Sequence, residues 1–157
     1  MKIQLWSIGK EHDPYVKPGA DDFTKRISRY FAVEWRLIAP PRQAAAMTAP
    51  ELKKKEGEII LGGLSKEDWL VALDERGKQM NSEELAKLIQ QRANDSTRNL
   101  VFLIGGAYGL DKAVLNRADC RWSLSQLTFP HQLVRLILAE QLYRACTILR
   151  HEKYHHP

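Results

Sequence analysis

Three stretches of this chain hold side chains whose type and spacing could do chemistry. The first is Ile104-Gly105-Gly106-Ala107-Tyr108-Gly109, directly after an apolar run. Glycines let the backbone take positive φ and come close to a ligand. The spacing matches neither G-x-G-x-x-G nor the P-loop, and no Lys-Ser/Thr pair follows. That disfavours phosphate and fits a loop offering amides and carbonyls to a nucleoside. A tight turn without a ligand is the plain alternative. The second stretch is Ser123–Phe129, where Ser123, Ser125, Gln126 and Thr128 are interspersed with Leu124, Leu127 and Phe129. Such a mixture can wrap a flat heterocycle while backbone groups read its edge. The alternative is a strand end and a helix cap, with Thr128 capping and Pro130 in the first turn. The third stretch is the tail, His151 to Pro157. It reads as a frayed terminus or as a substrate arm, with Tyr stacking on a base and His meeting a base edge or phosphate. A metal site is disfavoured, because His155 and His156 lack a third ligand.

These stretches must be positioned by regular elements. Lys2–Ile8 reads as a buried strand ended by Gly9, and Val33–Ile38 as a second. Between them Phe23, Ile27 and Tyr30 recur at helical spacing, giving a helix from Asp13-Pro14 to about Tyr30 with a break at Pro18-Gly19. Ala39–Pro50 holds three prolines and reads as a mobile connection before a helix over Glu51–Gly62. Trp69–Asp74 is a third strand and Glu75–Met80 a polar loop. Asn81 with Glu84 three residues on forms a capping box for a helix to about Ala93. Leu100–Ile104 is continuously apolar, as a central parallel strand requires. A short helix capped by Asp111 spans Leu110–Ala118, and Cys120–Ser125 is the last strand. The order is strand and helix in alternation, about five times. It predicts a single α/β domain over residues 1–157, a mostly parallel sheet covered on both faces. Ligands of such sheets lie beyond the carboxyl ends of the strands, so the loops after strands three, four and five (Ala72–Lys78, Ile104–Gly109 and Ser123–Phe129) share one expected pocket.

The terminal helix after Phe129-Pro130-His131 is apolar on nearly every side, yet carries Arg135, Glu140 and Arg144. An all-round apolar helix must be covered on more than one face. A second copy of the chain is the expected cover, so a homodimer is predicted. The 157 residues carry a formal charge of +5, compatible with a polyanionic partner. Cys120 and Cys146 have no metal or redox spacing and read as free thiols in a reducing cytosol. The amino-terminal run reads as a strand rather than a leader, and no apolar run reaches the roughly 20 residues of a membrane span. A cytoplasmic location is expected.

The motifs ALDERGK at 72–78, FLIGGAYG at 102–109, WSLSQLTFPHQLVRLILAEQLYRA at 122–145 and KYHH at 153–156 resemble the RlmH (YbeA) family. The likeness includes the opening KIQLWSIGK and spans the whole chain. Two departures are Ala72, where relatives often have Thr, and Ala107-Tyr108 between the glycines. The resemblance implies a SPOUT-class fold with a carboxyl-terminal trefoil knot over about 70–157. It implies an S-adenosylmethionine-dependent methyltransferase acting on N3 of a pseudouridine in 23S ribosomal RNA, as a homodimer on assembled ribosomes, with no metal. By matching positions, Leu73, Gly105 and the run Leu124, Ser125, Gln126, Leu127, Thr128 and Phe129 hold the methyl donor. Catalysis is expected from Tyr154, His155 and Arg144, and RNA contacts from Arg135, Arg144, His131 and Lys153. The imide proton at N3 must leave for attack, so His155, His131 and Tyr154 are candidate bases. Arg144 has two readings, a phosphate clamp or a pair with Glu140 four residues back. Rival functions are methylation of another RNA position and a non-catalytic ribosome-binding factor. A nucleotide-binding oxidoreductase fails for want of the dinucleotide fingerprint.

Overall fold

The computed structural model describes residues 1–157. In chain order the elements are β1 (Lys2–Ile8), α1 (Lys17–Ile27), β2 (Ala32–Ile38), α2 (Ala49–Gly63), β3 (Trp69–Gln79), α3 (Ser82–Asn94), β4 (Asn99–Ile104), α4 (Lys112–Arg117), β5 (Cys120–Ser123) and α5 (His131–Leu149). The five strands form one sheet in the order β2-β1-β4-β3-β5, and every pairing is parallel. All carboxyl ends therefore lie along one edge of the sheet, and those of β4, β3 and β5 are neighbours.

The apolar strands alternate between two cores, because successive side chains point to opposite faces. Ile3, Leu5, Val71, Leu100 and Phe102 pack with Ile27, Leu85, Ile89, Leu138 and Leu142 on the side of α1, α3 and α5. Trp6, Leu70, Ala72, Val101 and Leu103 pack with Ile60 and Val114 on the side of α2 and α4. Burial on both faces explains why β4 reads as a continuous apolar run. No helix is long and apolar enough to cross a membrane.

Several local expectations are corrected. Pro18 does not break α1; it occupies the first turn, where its missing N–H costs nothing, and Asp13–Val16 form a preceding turn. The segment read as a mobile connection contains a 3-10 turn at Ala44–Ala46 and the start of α2. There Thr48 and Glu51 form a reciprocal capping box with Pro50 in the first turn. The stretch Glu75–Gln79 is strand, not loop: after a bulge, Lys78 and Gln79 pair with Trp122 and Ser123 of β5. Gly77 makes this possible, since a Cβ there would stand 2.6 Å from the Arg121 carbonyl. Asp111 is the N-cap residue of α4, but its side chain makes no capping bond. The last strand ends at Ser123 rather than Ser125.

Part of the all-round apolar character of α5 is explained within the chain. The helix lies over the sheet, flanked by α1 and α3. Gly19 permits the α1 approach, because a Cβ there would lie 2.6 Å from Leu136 Cδ1.

Candidate active site

The carboxyl ends of β3, β4 and β5 enclose a cavity of about 230 Å³. Leu73, Asp74 and Glu75 line it from β3, Ile104 to Ala107 with Gly109 and Leu110 from the turn after β4, and Trp122, Leu124, Ser125 and Leu127 to Phe129 from β5 and its loop. His131 and Val134 of α5 close one side. The three loops expected to share a pocket do share one, and it includes Leu73, Gly105, Leu124, Ser125, Leu127, Thr128 and Phe129. Gln126 stands apart: it is exposed and outside the lining.

Each wall has a local cause. The turn after β4 closes on itself, with Gly109 N–H donating to the Gly106 carbonyl at 3.1 Å and Gly109 at φ +84°. Positive φ costs glycine no steric strain, since it has no Cβ. Gly105 packs so closely that a Cβ would meet Leu110 Cγ at 3.0 Å and the Gly109 carbonyl carbon at 3.2 Å. The loop after β5 is held by its own hydroxyls: Ser123 Oγ donates to the Ser125 carbonyl at 2.9 Å, and Leu127 N–H donates to Ser125 Oγ at 3.0 Å. Thr128 Oγ1 donates across the mouth to Glu75 Oε2 at 3.4 Å rather than capping α5, whose N-cap residue is Pro130. Leu127 is 69% exposed, an apolar side chain left at the rim.

The charges on the wall decide what can bind. Asp74 and Glu75 are acidic, and no Lys or Arg lines the cavity. A phosphate would meet carboxylates there, whereas a sulfonium or ammonium group would be attracted to them. The Trp122 indole N–H is buried without an acceptor in the chain, which leaves it a donor without a partner. Behind the turn, Glu56 of α2 is 5% exposed. A Cβ at Gly106 would lie 2.8 Å from both its carboxylate oxygens, and burial pushes its carboxyl above the ordinary carboxylate range. Trp122 and Glu56 are site residues the sequence does not point to, and Asp74 and Glu75, within the loop expected at the pocket, carry no assigned role there. Only the two acids at a strand's carboxyl end left a signal in the sequence.

The tail residues lie elsewhere in the chain. Arg144 Nε donates to Glu140 Oε1 at 3.0 Å, its guanidinium stacks 4.8 Å from the Tyr154 ring centre, and Tyr154 Oη donates to Glu140 Oε1 at 3.2 Å. His155 lies between Arg144 Nη1 (3.2 Å from Nδ1) and Glu83 Oε1 (2.9 Å from Nε2). A neutral ring with its proton on Nε2 satisfies both contacts. Burial, then the Glu140 carboxylate, push the Tyr154 phenol up, so at neutral pH it is a hydrogen-bond donor and not a base. Ten helical steps lead from Val134, the last α5 residue of the cavity wall, to Arg144, about 15 Å at 1.5 Å per residue. None of Arg144, Tyr154 and His155 lines the cavity. Lys153 is exposed and forms no ion pair.

Arg135 is corrected outright. It is 0% exposed and cannot meet an RNA phosphate. Its Nε donates to Ser7 Oγ at 3.0 Å, and its Nη1 donates to the Lys10 carbonyl at 2.8 Å and faces His12 Nδ1 at 3.3 Å. It ties the loop after β1 to the head of α5. No group of three His, Cys, Asp or Glu side chains is arranged to hold a metal ion.

Comparison with known proteins follows the same lines. The family model described as "Predicted SPOUT methyltransferase" matches residues 1–155. A Cytophaga hutchinsonii protein named Ribosomal RNA large subunit methyltransferase H is 46% identical, over 99% of this chain and 100% of that one. A protein of the same name from Trichlorobacter lovleyi is 43% identical, over 99% and 100%. The solved SpoU methyltransferase AviRb from Streptomyces viridochromogenes, in complex with the cofactor AdoMet, overlaps with a TM-score of 0.42 at 14% identity, over 96% of this chain and 61% of that one. That last likeness is too loose to carry an assignment.

Proposed function

The chain belongs to the SPOUT methyltransferase family, matched over residues 1–155, and from that premise we propose that it transfers a methyl group from S-adenosylmethionine to N3 of a pseudouridine in 23S ribosomal RNA. The observation that carries the reading is a full-length likeness to relatives named Ribosomal RNA large subunit methyltransferase H, at 46% identity for one of them. The cavity supports the donor, because its acidic, lysine- and arginine-free wall suits a sulfonium nucleoside and repels a phosphate. We take the whole of residues 1–157 as one domain, with a knot over about 70–157, acting in the cytoplasm.

The bound donor would supply an electrophilic methyl group, which is the cofactor's own chemistry. Leu73, Gly105 and the run Leu124 to Phe129 would hold it, with backbone groups reading the heterocycle and Asp74 and Glu75 facing its cationic end. Gln126, exposed outside the lining, has the weakest support among these. The chain's remaining task is to orient the target nucleotide and accommodate the N3 proton. Tyr154, His155 and Arg144 are the groups we assign to it, with His155 the candidate base. His131, inside the cavity wall, is the alternative.

Since Arg144, Tyr154 and His155 do not line the cavity of their own chain, we propose that a homodimer brings the tail of one chain to the cavity of the other. Leu133, Leu136 and Ile137 on α5 are only half-buried, which leaves apolar surface for a second copy. Arg144, Lys153 and His131 would then face the RNA.

The test is methylation of ribosomes lacking the modification, with isotopically labelled S-adenosylmethionine and mass-spectrometric mapping of the rRNA. One labelled methyl on a pseudouridine of 23S rRNA is expected. A methyl at another position would make this a related enzyme with a different target. Ribosome binding with no transfer would make it a binding factor.

A further inference from the structure

A second cleft lies on the other side of the glycine turn. Ala49, Pro50 and Lys53 of α2 form one wall, and Tyr108 and Asp111 form the other. Gly106, Ala107, Gly109 and Leu110 of the same turn line the donor cavity, so the two clefts are separated by a single turn of chain.

Three side chains in this cleft, Tyr108, Asp111 and Lys53, have no stacking, capping or ion-pair partner in the chain. Tyr108 is 56% exposed, and no other ring or cation stacks on it. Asp111 occupies an N-cap position yet makes no capping bond; its carboxylate instead points at α2, with Oδ2 3.4 Å from where a Gly57 Cβ would be. Lys53 forms no ion pair, although its neighbour Lys55 pairs with Glu58. An exposed aromatic, a free acceptor and a free cation around one cleft are the parts of a nucleobase site: a stacking face, a group for an exocyclic amine, and a charge for the sugar–phosphate.

We propose that this cleft holds the base of a nucleotide next to the methylated one. Tyr108 stacks on it, Pro50 bounds the opposite wall, Asp111 accepts from its exocyclic amine and Lys53 meets its phosphate. The inference rests on the RNA-methyltransferase reading and adds to it a place where the RNA strand is gripped beside the reaction.

The experiment pairs donor calorimetry with steady-state methylation of ribosomes for Tyr108→Ala, Tyr108→Trp, Lys53→Gln and Asp111→Asn. Loss of one stacked base raises the ribosome KM by about tenfold in Tyr108→Ala, with restoration in Tyr108→Trp. Donor affinity stays within about twofold throughout, as expected for surface changes outside the donor wall. Intact donor binding with an unmoved ribosome KM in Tyr108→Ala and Lys53→Gln would overturn this inference alone. A wild-type chain that binds no donor would overturn the reading beneath it as well.

Discussion

The Glu56 carboxylate occupies the space in which a side chain at position 106 would begin: a Cβ on Gly106 would be 2.8 Å from both its oxygens. A carboxyl whose pKa is raised by burial sits behind the turn that walls the cavity. Gly106→Ala is therefore expected to displace that turn, lowering S-adenosylmethionine affinity and costing about 1–3 kcal/mol of stability by overpacking. Glu56→Ala in the same chain should recover part of both losses. A double-mutant cycle of donor titrations and denaturation curves checks this; strictly additive effects would mean the two residues do not meet.

Arg135 joins Ser7 and Lys10 of the β1 loop to α5 from a fully buried position. Arg135→Met keeps apolar bulk but leaves the Ser7 hydroxyl and the Lys10 carbonyl without their donor. A loss of about 1–3 kcal/mol is expected, the usual cost of leaving one buried polar group, the Ser7 hydroxyl, unpaired. Arg135→Lys should rescue little, because an ammonium cannot reproduce the guanidinium fork. Urea denaturation of the three proteins measures it.

The same contact makes stability depend on acid. Burial, then the Arg135 charge, hold the His12 pKa below its ordinary value. The unfolded chain then takes up a proton more readily than the folded one, and stability falls as the pH drops below about 6.5, the unfolded value. The loss is complete once the pH is below the folded value, and nothing changes above 6.5. His12→Gln should flatten this part of the profile, read from denaturation midpoints between neutral and mildly acid pH.

Truncation after Glu152 removes Tyr154 and His155, which lie against α5 and α3 and outside the donor cavity. Donor binding should survive and methylation should not. If the tail acts across a dimer, mixing the truncated chain with a Gly105→Val chain restores activity, since one cavity then has both an intact turn and a partner's intact tail. If it acts within its own chain, the mixture stays inactive.

Much of this fold was legible because local and global demands agree. The Asn81–Glu84 capping box and the apolar run Leu100–Ile104 are read the same way by the chain and by its surroundings. The Thr48–Glu51 box carries the same signal and was obscured by the prolines before it. The extension of β3 was not legible, because Glu75–Gln79 are polar and mostly solvent-facing; their strand character comes from pairing with β5, a partner far along the chain. Arg135 reads as a surface cation in any window of sequence. Its burial is set by Ser7 and Lys10, more than a hundred residues away. The cavity walls were legible as loops after strands, but the acidic character of the wall depends on which side chains turn inward, and periodicity does not report that.

The central claim is that the ends of β3, β4 and β5 hold the methyl donor, and calorimetric titration of the purified protein with S-adenosylmethionine tests it most directly. Saturable binding is expected in the wild type. In Gly105→Val, whose added side chain must displace Leu110 and the turn, the affinity should fall at least about tenfold while the protein stays folded. Equal affinity in the two proteins, or no binding by a folded wild type, would contradict it.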